Sequence, residues 1–258
     1  MKPPALFSVP VPAAPALPAM AVAIIAALAG CVIETTDRAD QGGDAATISA
    51  RWSLRNMTDG AVTLCPPGID TVQLFAQAID DQGTPVADPS VDLFDCDRGA
   101  GTSDGLVPDV YQVWIELRSH DLATLYAQSL SQILDVRRAD QKFSTDVLND
   151  GGYFQLAWDL VGGDSNRPLD CAQVTGLDAI VAISTSVADP HRAYDDRLRC
   201  EDHATITGGL LEGAYRVSID ARASGASIGA AIRLPDQTIS GQNRVTDLGH
   251  LLIPIDGL

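Results

Sequence analysis

Two stretches of the sequence carry side chains whose types and spacing could do chemistry. Gly225-Ala226-Ser227-Ile228-Gly229 has the G-x-S-x-G spacing that holds a nucleophilic serine on a strained strand-to-helix turn. Catalysis there needs a helix-forming run after the serine and a histidine within reach. No such run follows, and His250 is the single histidine downstream. Small residues in a β-hairpin explain the motif better, and no acid, base or nucleophile stands at credible spacing elsewhere. The chain therefore reads as non-enzymatic, with no cofactor.

The second stretch runs from Asp189-Pro190-His191 through Asp195 and Asp196 to Glu201-Asp202-His203. Carboxylates and imidazoles together hold divalent cations, which makes His191, Asp195, Asp196 and His203 the candidate ligands. A solvated loop ahead of Cys200 is the plainer reading, since the first half of the chain has no histidine at the matching place. Asp92, Asp95 and Asp97 around Cys96 give a fainter suggestion of calcium, without the EF-hand spacing. Exposed aromatics are the remaining route to binding. Trp114 lies out of phase with Tyr111 and Val113, which points it outward, where a sugar ring could stack on it. Packing against a second sheet or a neighbouring domain is the competing reading.

The elements that must position these groups come in two sets. Trp52 precedes Cys65 by thirteen residues, as Trp158 precedes Cys171; Cys96 precedes Tyr111 by fifteen, as Cys200 precedes Tyr215. Ala50-Arg51-Trp52-Ser53-Leu54 matches Leu156-Ala157-Trp158-Asp159-Leu160, and Tyr111-Gln112-Val113 matches Tyr215-Arg216-Val217. Such self-similarity marks a repeated unit, with domains expected over 47–150 and 151–258. The even number of cysteines after Cys31 is what an oxidising compartment predicts. Four cysteines allow three pairings, and only Cys65 with Cys96 and Cys171 with Cys200 staples both copies alike. Residues 151–160 align with 45–54 and also with 249–258, so no polar linker parts the copies and a stiff unit is expected.

Within each copy the apolar period is two. Tyr111, Val113, Ile115 and Leu117 share one face, as do Tyr215, Val217, Ile219 and Ala221; Val72, Leu74, Ala76 and Ala78 repeat the pattern, as do Ala179, Val181 and Ile183. Turn signals such as Asp59-Gly60, Gln82-Gly83, Asp104-Gly105 and Gly208-Gly209 separate these runs. The expected fold is all-β: two tandem, disulfide-stapled antiparallel β-sandwich domains. Residues 121–136 read two ways. Leu122, Leu125, Tyr126, Ser129, Leu130 and Ile133 stand at helical spacing behind Asp121, whereas the second copy's counterpart contains Gly225 and Gly229 and reads as strands, which favours a strand or hairpin. Gly213-Ala214-Tyr215-Arg216-Val217 resembles the G-x-Y-x-V strand entry of transthyretin-like and carboxypeptidase-regulatory-like sandwiches, although Asp109 stands where Gly213 does.

The N-terminus says where such a unit would live. Lys2, an uncharged run from Ala13 to Ala29 and small residues at its end are the parts of an export signal. Pro10, Pro12, Pro15 and Pro18 leave too short a run to span a membrane as a helix. Leu28-Ala29-Gly30-Cys31 resembles the lipobox of bacterial lipoproteins, which implies cleavage after residue 30 and lipid attachment at Cys31. In that family an Asp after the cysteine favours inner-membrane retention; Val32 implies the outer membrane of a Gram-negative cell. Residues 31–46 are polar and read as a flexible tether. The formal charge is -17, and such acidity excludes nucleic acid as a partner. What remains is a membrane-anchored lipoprotein with a structural or protein-binding role in the envelope, or a glycan-binding or adhesion module.

Overall fold

A computed structural model of the chain describes residues 45–257. The signal segment 1–30, the lipidation motif ending at Cys31 and tether residues 31–44 lie outside the described residues.

The alternating apolar runs form strands. In the first half these are β1 (Ile48–Arg55), β2 (Val62–Thr63), β3 (Thr71–Ala78), β4 (Ser90–Asp95), β5 (Ala100–Thr102), β6 (Val110–Arg118), β7 (Leu125–Gln128), β8 (Gln132–Asp135) and β9 (Gln141–Leu148). The second half contributes β10 (Gly151–Gly162), β11 (Pro168–Leu169), β12 (Leu177–Ser186), β13 (Ala193–Leu198), β14 (Ala204–Ile206) and β15 (Leu210–Leu211). It closes with β16 (Gly213–Ala223), β17 (Ala226–Ser227), β18 (Ile232–Arg233), β19 (Gln237–Ile239) and β20 (Arg244–Ile255). Among the described residues the only helical segments are three single 3-10 turns.

Each half pairs two sheets. In the first, β1 takes β2 and β5 antiparallel and β9 parallel, and the facing sheet runs β4-β3-β6 with β7 and β8 both on the far edge of β6. In the second, β10 takes β11, β14 and β15 antiparallel and β20 parallel, facing β13-β12-β16 with β17, β18 and β19 on β16. Two apolar cores result. One is centred on Trp52, Leu74, Ile115 and Phe143, the other on Trp158, Ile180, Tyr215 and Leu251. Bridges Cys65–Cys96 and Cys171–Cys200 join Cα atoms 6.2 and 5.9 Å apart, each tying the segment after the first strand pair to a 3-10 turn. The architecture is all-β, two disulfide-stapled sandwiches in series.

The halves share more than strand order. Tyr111 donates its hydroxyl hydrogen bond to the carbonyl of Val107 at 2.8 Å, and Tyr215 donates to Leu211 at 2.7 Å, four residues back in both cases. Ser103 and Thr207 accept from the backbone N–H of Ile48 and Phe154, and Asp92 and Asp196 accept from Asp104 and Gly208. The Trp52 and Trp158 amides donate to the carbonyls of Gly99 and His203, which end the 3-10 turns with φ of 61° and 54°.

Residues 121–136 form no helix. The Asp121 carboxylate accepts from the Ser119 hydroxyl at 2.6 Å and the Ala123 N–H at 3.1 Å, and Leu122 takes φ 60°; the expected helix cap thus caps a turn. Those hydrogen bonds, the Ser119 hydroxyl's foremost, hold its carboxyl below the ordinary carboxylate range. β7 and β8 then run along β6 in one direction, so they are two pieces of one edge strand rather than a hairpin. Ser129 marks the break, bonding Ile115 through both its backbone N–H and its hydroxyl oxygen.

The passage from the first half to the second is continuous strand. β9 leads through Asn149 and Asp150 directly into β10. Asp150 accepts from the backbone N–H groups of Met57 and Thr58 at 2.5 and 3.2 Å and from the Thr58 hydroxyl. Asn243, only 3% exposed, accepts from the Leu148 N–H at 2.7 Å and donates to the Gln128 carbonyl at 2.8 Å. A Cβ on Gly151 would press on the Leu210 carbonyl and the Met57 side chain, which explains a glycine at the seam. Residues 249–255 belong to β20, the counterpart of β9, so their likeness to the opening strand is one of sequence and not of place.

Candidate functional site

The first sandwich carries an apolar surface on the outer face of its β4-β3-β6 sheet. Strand alternation sends Val72, Leu74 and Ala76 of β3 into the core, which leaves Gln73 and Phe75 facing out. In β6 the same alternation buries Val113, Ile115 and Leu117 and turns Gln112, Trp114 and Glu116 outward. The register sets Phe75 opposite Trp114 and Val91, Gln73 opposite Leu93, and Gln112 opposite Ile133. Directly opposed residues share a face and touch. Phe75 and Trp114 are stacked with centroids 4.9 Å apart and planes within 1°.

Around this pair the surface stays apolar. Val91 is 42% exposed, Leu93 55% and Ile133 68%. The Trp114 indole N–H is shielded from solvent and has no hydrogen-bond partner among the described residues. Glu116 and Arg118 close one side with an ion pair of 2.7 Å, and Gln112 donates to Ser131 at 2.9 Å. Beyond Leu93 the face dips into a groove of about 330 Å³ lined by Thr71, Leu93, Asp95, Arg98 and His120. The arrangement can bury apolar side chains of a partner; it offers no convergent acid, base and nucleophile.

The other candidates are dispersed. Ser227 is exposed in the β16–β17 hairpin, where its hydroxyl donates to the Gly229 carbonyl at 2.8 Å; the turn at Ser224-Gly225 has φ of 50° and 82° and no elbow. His191 sits in the loop before β13, where its backbone N–H donates to the Asp189 carboxylate at 3.1 Å. Asp195 and Asp196 are neighbours on β13 and point to opposite faces; Asp196 accepts from Gly208 at 2.8 Å. His203 lies instead beside Asp159, its Nδ1 3.8 Å from Oδ1. Asp92 accepts from the Asp104 N–H, apart from the exposed Asp95 and Asp97. Among the described residues, no three His, Cys, Asp or Glu side chains form a ready metal cluster, and no helix is long and apolar enough to cross a membrane.

Of this surface, the out-of-phase Trp114 was visible in the sequence. Phe75, Val91, Leu93 and Ile133 were not, because their adjacency is made by register between distant strands. The signal that could find them is a strand whose off-phase positions are also apolar, as Phe75 is in β3.

Fold and surface together define a class: a disulfide-stapled double β-sandwich with an apolar outer face on its first half. No protein-family model matches the chain, and no curated protein matches it. Among solved structures it is similar to a leucine-rich repeat protein from Bacteroides thetaiotaomicron, with 11% identity and a TM-score of 0.37 over 81% of this chain; it spans 26% of that one. It is also similar to GBS52, the minor pilin of Streptococcus agalactiae, at 12% identity and a TM-score of 0.29, covering 82% of this chain and 94% of that one. A candidate cell-adhesion protein from Bacteroides fragilis gives 12% identity and a TM-score of 0.29 over 83% and 95%. These scores lie below 0.5 and establish neither family nor function.

Proposed function

We propose that the protein is an exported, membrane-tethered and non-catalytic envelope component that uses the outer face of its first sandwich to bind another envelope protein. The observation that carries this reading is the patch of Val91, Leu93, Phe75 and Trp114, with Ile133 in the neighbouring row, which no element among the described residues covers. Contiguous exposed apolar surface of this kind marks interaction sites. Paired aromatics enclosed by aliphatic side chains are the usual anchors of protein interfaces.

Export is supported by the two bridges, which belong to an oxidising compartment. Anchoring is supported by the Leu28-Ala29-Gly30-Cys31 motif, and an outer-membrane address by Val32. We read the two sandwiches, 47–150 and 151–258, as copies of one transthyretin-like unit that act as a single stiff body. A glycan-binding role is less well supported. Phe75 and Trp114 spend one ring face each on the other, and a sugar needs a free ring face with hydrogen-bonding groups around it.

The test places a photo-crosslinking amino acid at Leu93 in cells. An adduct to a discrete envelope protein, lost when Trp114→Ser is added, is the expected result. Absence of any adduct, together with glycan binding that Trp114→Ser abolishes, would move the assignment to the glycan reading. Cys31→Ala should release the protein from membranes or stall its processing. Membrane fractionation that persists after normal maturation would remove the lipid anchor.

A further inference from the structure

We propose that His203, Asp159 and His250 of the second sandwich form a binding site for a divalent transition cation of the zinc or copper class. Asp159 lies on β10 and His250 on the adjacent parallel strand β20, where the register sets Asp159 opposite Leu252 and Ala157 opposite His250, so the two point to one face. His203 ends the 3-10 turn after Cys200 and is fastened to β10 through its carbonyl, which accepts from the Trp158 N–H at 2.8 Å. One Asp159 oxygen stands 3.8 Å from His203 Nδ1 and the other 3.2 Å from His250 Nε2.

Two nitrogen or oxygen ligands held about 2.0–2.1 Å from one tetrahedral ion are themselves about 3.3 Å apart. The His250 separation is close to that value and the His203 separation exceeds it, each being measured to a different Asp159 oxygen. The three side chains do not yet surround one point, but they are 53–55% exposed, so His203 can turn toward a shared ion and the ion can enter from solvent. Two imidazoles and a carboxylate suit zinc, copper or nickel rather than calcium or magnesium, which want oxygen ligands throughout. Glu201 and Asp202 in the same turn add negative charge beside the site.

The first sandwich supplies an internal contrast. At the three equivalent places it has Gly99, Ser53 and Ser144, and Ser53 spends its hydroxyl on Asp146. His203 also occupies a left-handed backbone conformation that its counterpart fills with glycine, a placement an imidazole accepts at some conformational cost. All three positions differ together, and together they become metal ligands. The inference stands apart from the binding face on the first sandwich.

Titrating the purified full-length chain separately with Zn(II) and Cu(II) tests it. One equivalent should bind, and electron paramagnetic resonance of the Cu(II) form should show coupling to imidazole nitrogen. His250→Ala and Asp159→Asn should each weaken binding about tenfold or more. The double variant His203→Gly/His250→Ala should abolish the nitrogen coupling. His203→Gly restores the residue found at this place in the first sandwich and therefore keeps the fold, and circular dichroism checks it. His191→Ala, in a separate loop, should change nothing. No uptake at equimolar metal, unchanged affinity in the double variant, or a loss in His191→Ala equal to that in His250→Ala would overturn the proposal.

Discussion

The outer faces of the two sandwiches differ although the strands beneath them are paired alike. In the first, the register places Val91, Phe75 and Trp114 in one row with Leu93 beside it; in the second, the same register yields Asp195, Ile183 and Ser218, with Arg197 beside them. One feature of the face is common to both. Glu116 pairs with Arg118 at 2.7 Å and Asp220 with Arg222 at 3.1 Å, in equivalent positions. What the core requires is thus alike in both halves, and what faces outward from these sheets is an apolar surface on the first and a more polar, charged one on the second. The lesson is that two halves with the same strand pairing share inward positions and turn hydrogen bonds, while their outward positions differ.

The strongest test of scaffold equivalence is the pair of bridges. They span 31 and 29 residues, so the chain-entropy model assigns each about 3–4 kcal/mol. Cys65→Ala/Cys96→Ala and Cys171→Ala/Cys200→Ala should lower the denaturation midpoint by similar amounts, read by urea unfolding of each double variant. A difference of more than about 2 kcal/mol would break the equivalence and mean that one bridge relies on packing the other lacks.

Most of the core was legible in the sequence because inward positions repeat every second residue; the Ala179, Val181 and Ile183 run is out of phase, since beyond the irregularity between Leu177 and Ala179 it is Ile180 and Ala182 that enter the core. Tyr111, Val113, Ile115 and Leu117 are all buried, and so are Tyr215, Val217, Ile219 and Ala221. The 121–136 stretch was ambiguous for a physical reason. Its helical spacing is real, but an edge of β6 is open there, and Asp121 forms a tighter local turn than a helix cap would. The apolar outer face was mostly hidden, since Phe75 and Trp114 stand 39 positions apart and meet only through the β3–β6 register. The same is true of Asp159, His203 and His250, of which His203 alone stood out among the carboxylates. Period and motif reveal which side a residue faces; they do not reveal its cross-strand neighbour.

The seam between the halves offers the next test. Asn243 bonds the Leu148 N–H with its carbonyl and the Gln128 carbonyl with its amide, in a nearly dry site. Asn243→Ala leaves a donor and an acceptor unpaired and should cost about 2–3 kcal/mol. If the copies unfold as one body, the calorimetric transition of this variant stays single and moves down. If it splits in two, the sandwiches are independent and the seam is only a contact between them. A hinge motion seen by solution scattering in the unaltered chain would count the same way.

A smaller difference is expected at the core tryptophans. The Trp52 indole N–H donates to the Cys96 carbonyl at 2.9 Å, whereas the Trp158 indole N–H is buried without a partner among the described residues. Both rings fill the same place in their cores, so replacement by Phe removes comparable packing. Trp52→Phe also removes a hydrogen bond and orphans a carbonyl, and Trp158→Phe removes an unsatisfied donor. The first should cost about 1–2 kcal/mol more than the second, measured by urea unfolding. Equal costs would mean that the Trp158 N–H is satisfied in solution by a bound water, as buried polar groups commonly are.

The smallest effect concerns acid, and it distinguishes how the two copies end. Asp150 follows β9 as Asp256 follows β20, but Asp150 gathers Met57 and Thr58 across the seam, while Asp256 meets Ile228 through its backbone N–H. Burial pushes the Asp150 carboxyl up. The Thr58 hydroxyl and the backbone N–H groups of Met57 and Thr58 together outweigh it and hold the group below the ordinary carboxylate value. A carboxyl lowered in the folded state stabilises fully above its unfolded value and loses that contribution as pH falls through the lower, folded one. The melting temperature of the unaltered chain should therefore exceed that of Asp150→Asn near pH 6, and the two should begin to converge below about pH 4 and meet below the lowered folded value. Asp121 and Asp135, whose carboxyls are also lowered, are present in both proteins and cancel from the difference. Curves that remain parallel down to the acid limit would show that Asp150 holds the seam by shape and neutral hydrogen bonding, and its charge would then play no part in joining the sandwiches.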